Sequence, residues 1–147
     1  MMHVVNPWKS YRQVSTLTAS PGQIVLMLYD GALCSLERSL PGFTAGDPAQ
    51  ANMLIHNNLQ RAQDIIRELN CALNMEEGGE CATTFRRLYD YFDRQIRQSN
   101  IRKRRDGVDE VIRHLTVLRD AWASVLQKQP APDPFLPAQP PAAVAAV

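Results

Sequence analysis

The most informative stretch of this chain is Thr18-Ala19-Ser20-Pro21-Gly22-Gln23-Ile24-Val25-Leu26-Met27-Leu28-Tyr29-Asp30-Gly31, which contains a complete helix-start signal. Ser20 is a favoured N-cap residue, Pro21 suits the first helical position, and Gln23 completes a Ser-x-x-Gln capping box. The six residues 24–29 that follow are all apolar. Because one packing face of an amphipathic helix needs fewer apolar residues than this, the stretch predicts a helix with surplus apolar surface.

The first helix is predicted to run from about residue 21 to residue 40, where Pro41-Gly42 ends it. At helical spacing, its core face consists of Val25, Leu28, Tyr29, Ala32, Leu33, Leu36 and Leu40. A second stripe on a different side consists of Ile24, Met27, Gly31 and Cys34. Since no helix is central in a four-helix bundle, this stripe needs a cover: the N-terminal arm, a second subunit or a client protein.

Three further helices of similar length are predicted, joined by short connections. They span about residues 48–75, after the start signal Asp47-Pro48, then 81–100 and 108–127, with turns at 76–80 and 101–107. Strand-like alternation bounded by turn residues is absent from the sequence. The predicted fold is therefore all-α, an antiparallel up-down four-helix bundle.

The sequence divides into an arm (residues 1–19), the bundle (20–128) and a tail (129–147). Trp8 and Tyr11 lie three residues apart in the arm and share one face of a short helix that Asn6-Pro7 can start. The density of large apolar residues favours an arm that docks over a disordered one. The tail holds six of the ten prolines, which predicts a disordered, partly polyproline segment.

The composition excludes several classes of protein. A net charge of +1 argues against a dedicated nucleic-acid binder, and no apolar run is long enough to insert in a membrane. The N-terminal sequence lacks a secretion signal, so a cytosolic protein is expected.

The three cysteines, an odd number without a C-x-x-C pair, are predicted to be small buried or half-buried residues. A reducing cytosol disfavours a disulfide between Cys71 and Cys81.

Catalytic and metal-binding patterns are absent from the sequence. No histidine lies three residues after a glutamate, as a di-iron bundle requires, and no phosphate-binding loop or nucleophile elbow occurs. We therefore expect no catalytic residues, no metal and no cofactor.

The basic run at 102–105 is best explained by the favourable interaction of cations with a helix C-terminus. Contact with phosphate or an acidic partner is the alternative explanation.

Several separated motifs resemble the FliS family of flagellin-export chaperones. The stretch 18–31 follows the pattern Thr-Ala-Ser-Pro-x-x-Leu-x-x-Met-Leu-Tyr-x-Gly, with Ile24 or Val25 in the apolar slots. The segments 6–11, 78–80 with 88–92, and 119–122 resemble the family's aromatic arm, third-helix start and fourth-helix motif. Trp8 stands where a tyrosine is more usual. The resemblance spans about residues 6–128, and the cysteines, the polar segment 97–100 and the tail depart from it.

The resemblance implies a cytoplasmic chaperone that is not an enzyme. Its client would be the disordered C-terminal segment of flagellin, which it would keep from polymerising prematurely and help deliver to a component of the flagellar export gate. A disordered amphipathic client can fold on a preformed apolar surface. The arm would cover that surface when the client is absent. The predicted client-binding residues are Trp8, Tyr11, Ile24, Met27, Ile55, Asn58 and Leu59.

Alternatives remain for these residues and for the whole chain. Each predicted client-binding residue can instead belong to the ordinary bundle core, and Asn58 can fix helix register, face a neighbouring backbone group or lie at a solvated edge. A second reading of the chain is a structural bundle whose exposed stripe drives formation of a homodimer or larger oligomer. A third is a metal-dependent bundle enzyme.

Overall fold

Four long helices form the part of the chain that the computed structural model describes, residues 20–76 and 78–128. They are α1 (Pro21–Ser39), α2 (Pro48–Cys71), α3 (Gly79–Arg102) and α4 (Asp106–Gln127), and a short 3-10 helix, Leu40–Phe43, follows α1. Helices α1 and α3 each pack against both α2 and α4. This arrangement confirms the predicted all-α bundle, because consecutive helices are neighbours and the ring closes between α1 and α4.

The predicted arm (residues 1–19) and tail (129–147) lie outside the described residues, so the division of the chain into three parts stays a prediction. Within the described part, no helix combines the length and the apolar character needed to cross a bilayer.

The turns between helices differ in length from those predicted. Helix α2 ends at Cys71, about a turn earlier than expected, and α3 continues to Arg102. Lys103 then stops α3 in a left-handed conformation with φ of 52°, and its Nζ donates a hydrogen bond to Asn100 Oδ1 at 2.6 Å. The break predicted over 101–107 is therefore only three residues long. A left-handed helix stop is usually a glycine, so a lysine at this position does not predict one.

The core is built from one face of each helix. Its largest fully buried side chains come from all four helices: Tyr29, Leu36, Ile55, Leu59, Ile65, Ile66, Leu69, Tyr89, Phe92, Ile96, Val108 and Leu115. Every residue predicted for the core face of α1 is buried or half-buried. The same is true of the residues that helical spacing places inward in α3 and α4, which are Ala82, Phe85, Leu88, Tyr89, Phe92, Ile96, Ser99, Val108, Val111, Ile112, Leu115, Leu118, Trp122, Val125 and Leu126. The helical periodicity of apolar residues therefore gave the inward faces correctly.

Two tyrosines form a polar contact inside this core. The hydroxyl oxygens of Tyr29 in α1 and Tyr89 in α3 are 2.6 Å apart, a hydrogen bond in which either hydroxyl can donate. Both side chains are buried, and burial raises the pKa of both hydroxyls. The bond joins helices that are diagonal in the bundle, and it satisfies two polar groups that water does not reach.

A close approach of α3 and α4 depends on a residue without a side chain. A Cβ added at Gly107 would lie 2.5 Å from Ser99 Oγ and 2.7 Å from the Gln95 carbonyl oxygen. Ser99 Oγ accepts a hydrogen bond from the Val108 backbone N–H at 3.1 Å. The first turn of α4 is therefore held directly against the last turns of α3.

We predict that Tyr89→Phe lowers the free energy of unfolding by about 1–3 kcal/mol, because the Tyr29 hydroxyl is left buried without a partner. The double variant Tyr29→Phe/Tyr89→Phe removes both hydroxyls and should be more stable than Tyr89→Phe alone. Denaturant unfolding followed by circular dichroism measures both values. A double variant that is less stable than either single variant would contradict this account of the pair.

Candidate functional site

Helix α1 begins at the predicted capping box. Ser20 Oγ accepts a hydrogen bond from the Gln23 backbone N–H at 3.2 Å, and Gln23 Oε1 accepts one from the Ser20 backbone N–H at 3.0 Å. Pro21 occupies the first helical position. The cap fixes the residue at which the helix starts, and it thereby fixes which of the following apolar residues face outward.

The second apolar stripe of α1 lies at the edge of the bundle. Ile24, Met27 and Gly31 are half-buried and Cys34 is exposed; we call these four residues the α1 stripe. Ile24 packs against the core cluster, whereas Met27 makes no such contact within the described residues. The α1 stripe therefore leaves apolar surface that the four helices do not cover.

The other flank of α1 faces α4. Trp122 Nε1–H in α4 donates a hydrogen bond to the Gly22 carbonyl oxygen at 2.7 Å, and Arg119 Nε donates to Asp30 Oδ1 at 2.8 Å. Hydrogen bonding to Asp30 raises the pKa of the Arg119 guanidinium. Because these contacts lie on the α4 side, helical periodicity places the α1 stripe on the flank next to α2.

Leu54 of α2 lies at the same edge of the bundle as the α1 stripe. Gln63 Nε2 donates to Asp93 Oδ1 of α3 at 3.0 Å, so this flank of α2 faces α3. Leu54 and Asn58 lie on the opposite flank, towards α1. The α1 stripe and Leu54 both lie on the outer side of the interface between α1 and α2, with Leu54 at the end where Gly42 approaches Ile55. We call this outer surface the α1–α2 groove.

The three predicted binding residues of α2 are buried. Ile55 and Leu59 belong to the hydrophobic core cluster, the position that the core alternative describes. Asn58 is buried, and its Nδ2 donates to the Leu54 carbonyl oxygen one turn earlier at 2.9 Å. This hydrogen bond stays within α2, so it does not set the register between helices. A client contact at these three residues stays a prediction.

Trp8 and Tyr11, the predicted binding residues of the arm, lie outside the described residues. The structure thus brings Ile24 and Met27 together at the surface and places Ile55, Asn58 and Leu59 inside. Helical spacing predicts that Leu54 belongs to the inward stripe of α2 together with Ile55 and Asn58, but this is wrong, since its side chain is 37% exposed. Leu54 lies at the margin of that stripe, where spacing alone does not tell a buried residue from an exposed one.

The structure contradicts the prediction that the three cysteines are buried or half-buried. Cys34, Cys71 and Cys81 are free and exposed, so the prediction of buried or half-buried cysteines was wrong. Cys71 is the last residue of α2 and Cys81 the third of α3, and both face outward, because Leu69 and Leu73 around the first and Ala82 beside the second are buried. Within residues 20–76 and 78–128, no group of three or more His, Cys, Asp or Glu side chains is placed to hold a metal ion.

The chemistry available at the α1–α2 groove is that of a binding surface. It presents a thioether, aliphatic side chains, a thiol and the bare backbone of Gly31. Such a surface suits apolar side chains from a partner, and the small residues Gly31 and Cys34 allow a partner backbone to approach closely.

Comparison with known proteins identifies the family to which this chain is similar. Residues 4–129 match the family described as flagellar protein FliS. The flagellar secretion chaperone FliS of Bacillus subtilis strain 168 is 35% identical over 128 residues, which cover 87% of this chain and 92% of the relative.

Relatives from other bacteria show the same relationship. The flagellar secretion chaperone FliS of Salmonella typhimurium is 34% identical over 132 residues, covering 86% of this chain and 95% of the relative. The protein of the same name from Vibrio cholerae is 34% identical over 122 residues, covering 80% and 86%. The similarity extends over the whole four-helix bundle, and this chain therefore belongs to the FliS family of flagellar secretion chaperones.

Proposed function

We propose that this chain binds the C-terminal segment of flagellin in the cytosol, keeps flagellin from polymerising prematurely and helps deliver it to a component of the flagellar export gate. Membership of the FliS family supports a flagellar export role. The observation that carries the proposal is the α1 stripe, an apolar surface that the bundle leaves partly uncovered. The proposed activity involves neither catalysis nor a cofactor.

The α1–α2 groove fits a client that is disordered before it binds. An amphipathic segment gains apolar burial when it folds as a helix on a preformed groove, and that burial offsets the entropy lost on ordering. The surface is preformed because the bundle has a closed core, to which Ile55 and Leu59 belong. Binding of this kind remains reversible, which export requires, since part of the interaction energy is spent on ordering the client.

The predicted binding residues take two roles in this proposal. Ile24 and Met27 contact the client directly, because they are half-exposed at the groove. Ile55, Asn58 and Leu59 form the floor of the groove from inside the bundle, where they support its shape. Trp8 and Tyr11 of the arm cover the groove in the absence of client, and the client competes with them.

The direct test is a titration of the full chain with the C-terminal segment of flagellin from the same organism, followed by calorimetry and far-ultraviolet circular dichroism. Stoichiometric binding with a gain of helix in the segment is the expected result. A folded bundle that shows no binding at micromolar concentrations of the segment would overturn the proposal.

We predict that Met27→Glu weakens client binding about 10- to 100-fold, since burying a methionine side chain contributes about 1.5–3 kcal/mol. Met27 is suited to the test because it makes no contact with the core cluster within the described residues, so the bundle should still fold. The matched control is Val117→Glu, which adds the same charge at a 65% exposed apolar residue of α4. Equal losses of affinity in the two variants would contradict a client site at the α1 stripe.

The exposed cysteines allow the site to be located without mutation. Cys34 belongs to the α1 stripe, whereas Cys71 and Cys81 lie near the turn between α2 and α3. We predict that bound client slows alkylation of Cys34 at least about tenfold and leaves Cys71 less affected, because a thiol reacts only when the reagent can reach it. Mass spectrometry of the alkylated peptides measures all three rates in one sample. Unchanged alkylation of Cys34 in the complex would place the client elsewhere.

A further inference from the structure

The two ends of α3 carry opposite charge. Glu76 lies in the turn before α3 and Glu80 in its first turn, and both are exposed. By contrast, residues 101–105, at the other end of α3 and in the next turn, contain four arginines and lysines and no acidic residue. Because α3 has 24 residues, the two turns are about 36 Å apart, at opposite ends of the bundle.

Exposed apolar side chains accompany the charge at each end. Met75 is 37% exposed beside Glu76, and Ile101 is 74% exposed beside the basic turn. Met53 of α2, 65% exposed, belongs to the same end as Ile101, because Asn100 Nδ2 and His56 Nδ1 are 3.2 Å apart and join α2 to α3 there. We define the acidic end as Met75, Glu76 and Glu80, and the basic end as Met53, Ile101, Arg102, Arg104 and Arg105.

Interaction with helix dipoles explains only part of this pattern. Arg102 and Lys103 lie at the C-terminus of α3, where cations are favourable. Arg104 and Arg105, however, lie immediately before the N-terminus of α4, where the dipole disfavours a positive charge. Their ion pairs with Asp106 and Asp109 are exposed, so these pairs contribute little and exchange partners readily.

We propose that copies of this chain associate head to tail, with the acidic end of one molecule against the basic end of the next. Every copy carries both ends, and opposite charge brings unlike ends together while like ends repel. Contact of Met75 with Met53 and Ile101 removes three exposed apolar side chains from water. The contact is heterologous, because different surfaces of the two molecules meet, and it differs from a symmetric dimer formed through the α1 stripe.

Both ends are small compared with a stable interface of about 1,200–2,000 Å². Head-to-tail association is therefore weak, concentration-dependent and sensitive to salt. Raising the salt concentration from about 0.1 M to about 1 M shortens the Debye length from ~10 Å to ~3 Å. The attraction between the ends should fall with it, whereas an association driven by apolar surface alone should not weaken.

Sedimentation velocity of the full chain over a range of concentrations tests the proposal. At low salt the mean sedimentation coefficient should rise with concentration, and high salt should weaken the association at least about tenfold. A chain that stays monomeric at every concentration, or one whose association is unchanged or strengthened by salt, overturns the proposal.

Charge reversal at each end provides a complementation test. The basic-end variant Arg104→Glu/Arg105→Glu and the acidic-end variant Glu76→Lys/Glu80→Lys should each lose self-association at least about tenfold, because both ends of each variant then carry like charge. An equal mixture of the two variants should associate again, since each supplies the end that the other lacks. Failure of the mixture to associate, with both variants folded by circular dichroism, overturns the proposal.

Two further variants distinguish the effect of the proposed contact on self-association from the effect of net charge. Arg94→Glu/Arg113→Glu makes the same change in net charge away from both ends, and it should leave association within about twofold of the original chain. Ile101→Ser removes an exposed apolar side chain without changing charge or core, and it should weaken association several-fold. An equal loss in the Arg94→Glu/Arg113→Glu control and the basic-end variant would show that net charge alone controls association, which contradicts the proposed contact.

Discussion

Each helix of a four-helix bundle packs against two neighbours, so one side of every helix stays outside the core. This constraint determines what the bundle can present to a partner. On α3 the outer side is largely charged, and the seam between α2 and α3 is closed by polar contacts such as Gln63 with Asp93 and Asn70 with Asp90. On α1 the outer side next to α2 is apolar, and this is the surface that the proposed function assigns to a client.

The helix starts and inward faces could be predicted because they depend on local chemistry and periodicity. Ser20 and Gln23 form a cap from four consecutive residues, and apolar residues at helical spacing face the core in any bundle. The stop at Lys103 could not be predicted, because a left-handed lysine is selected by surrounding contacts and not by its own preference. The exposure of the cysteines was also missed, because each lies on the outer side of its helix and a small apolar residue is compatible with either side.

The candidate site was harder to predict than the fold. Periodicity identifies a residue as apolar and inward-facing, but it does not tell whether a neighbouring helix or a client covers it. Ile24 and Ile55 both belong to apolar stripes, yet α1 leaves the first at the edge and α2 buries the second. Only the packing of complete helices distinguishes the two, because exposure is set by the distance to the next helix.

The seam between α1 and α4 has a consequence for how the chain folds. The other three seams join helices that follow each other along the chain, so short turns bring them together. By contrast, the Trp122–Gly22 contact joins residues 100 positions apart, and the Arg119–Asp30 contact joins residues 89 apart. Closing this loop carries the largest loop-closure entropy cost in the bundle, because its contacts join residues farther apart along the chain than those of the other three helix interfaces. The helix that carries the apolar stripe is therefore also one of the two whose packing against each other closes the ring.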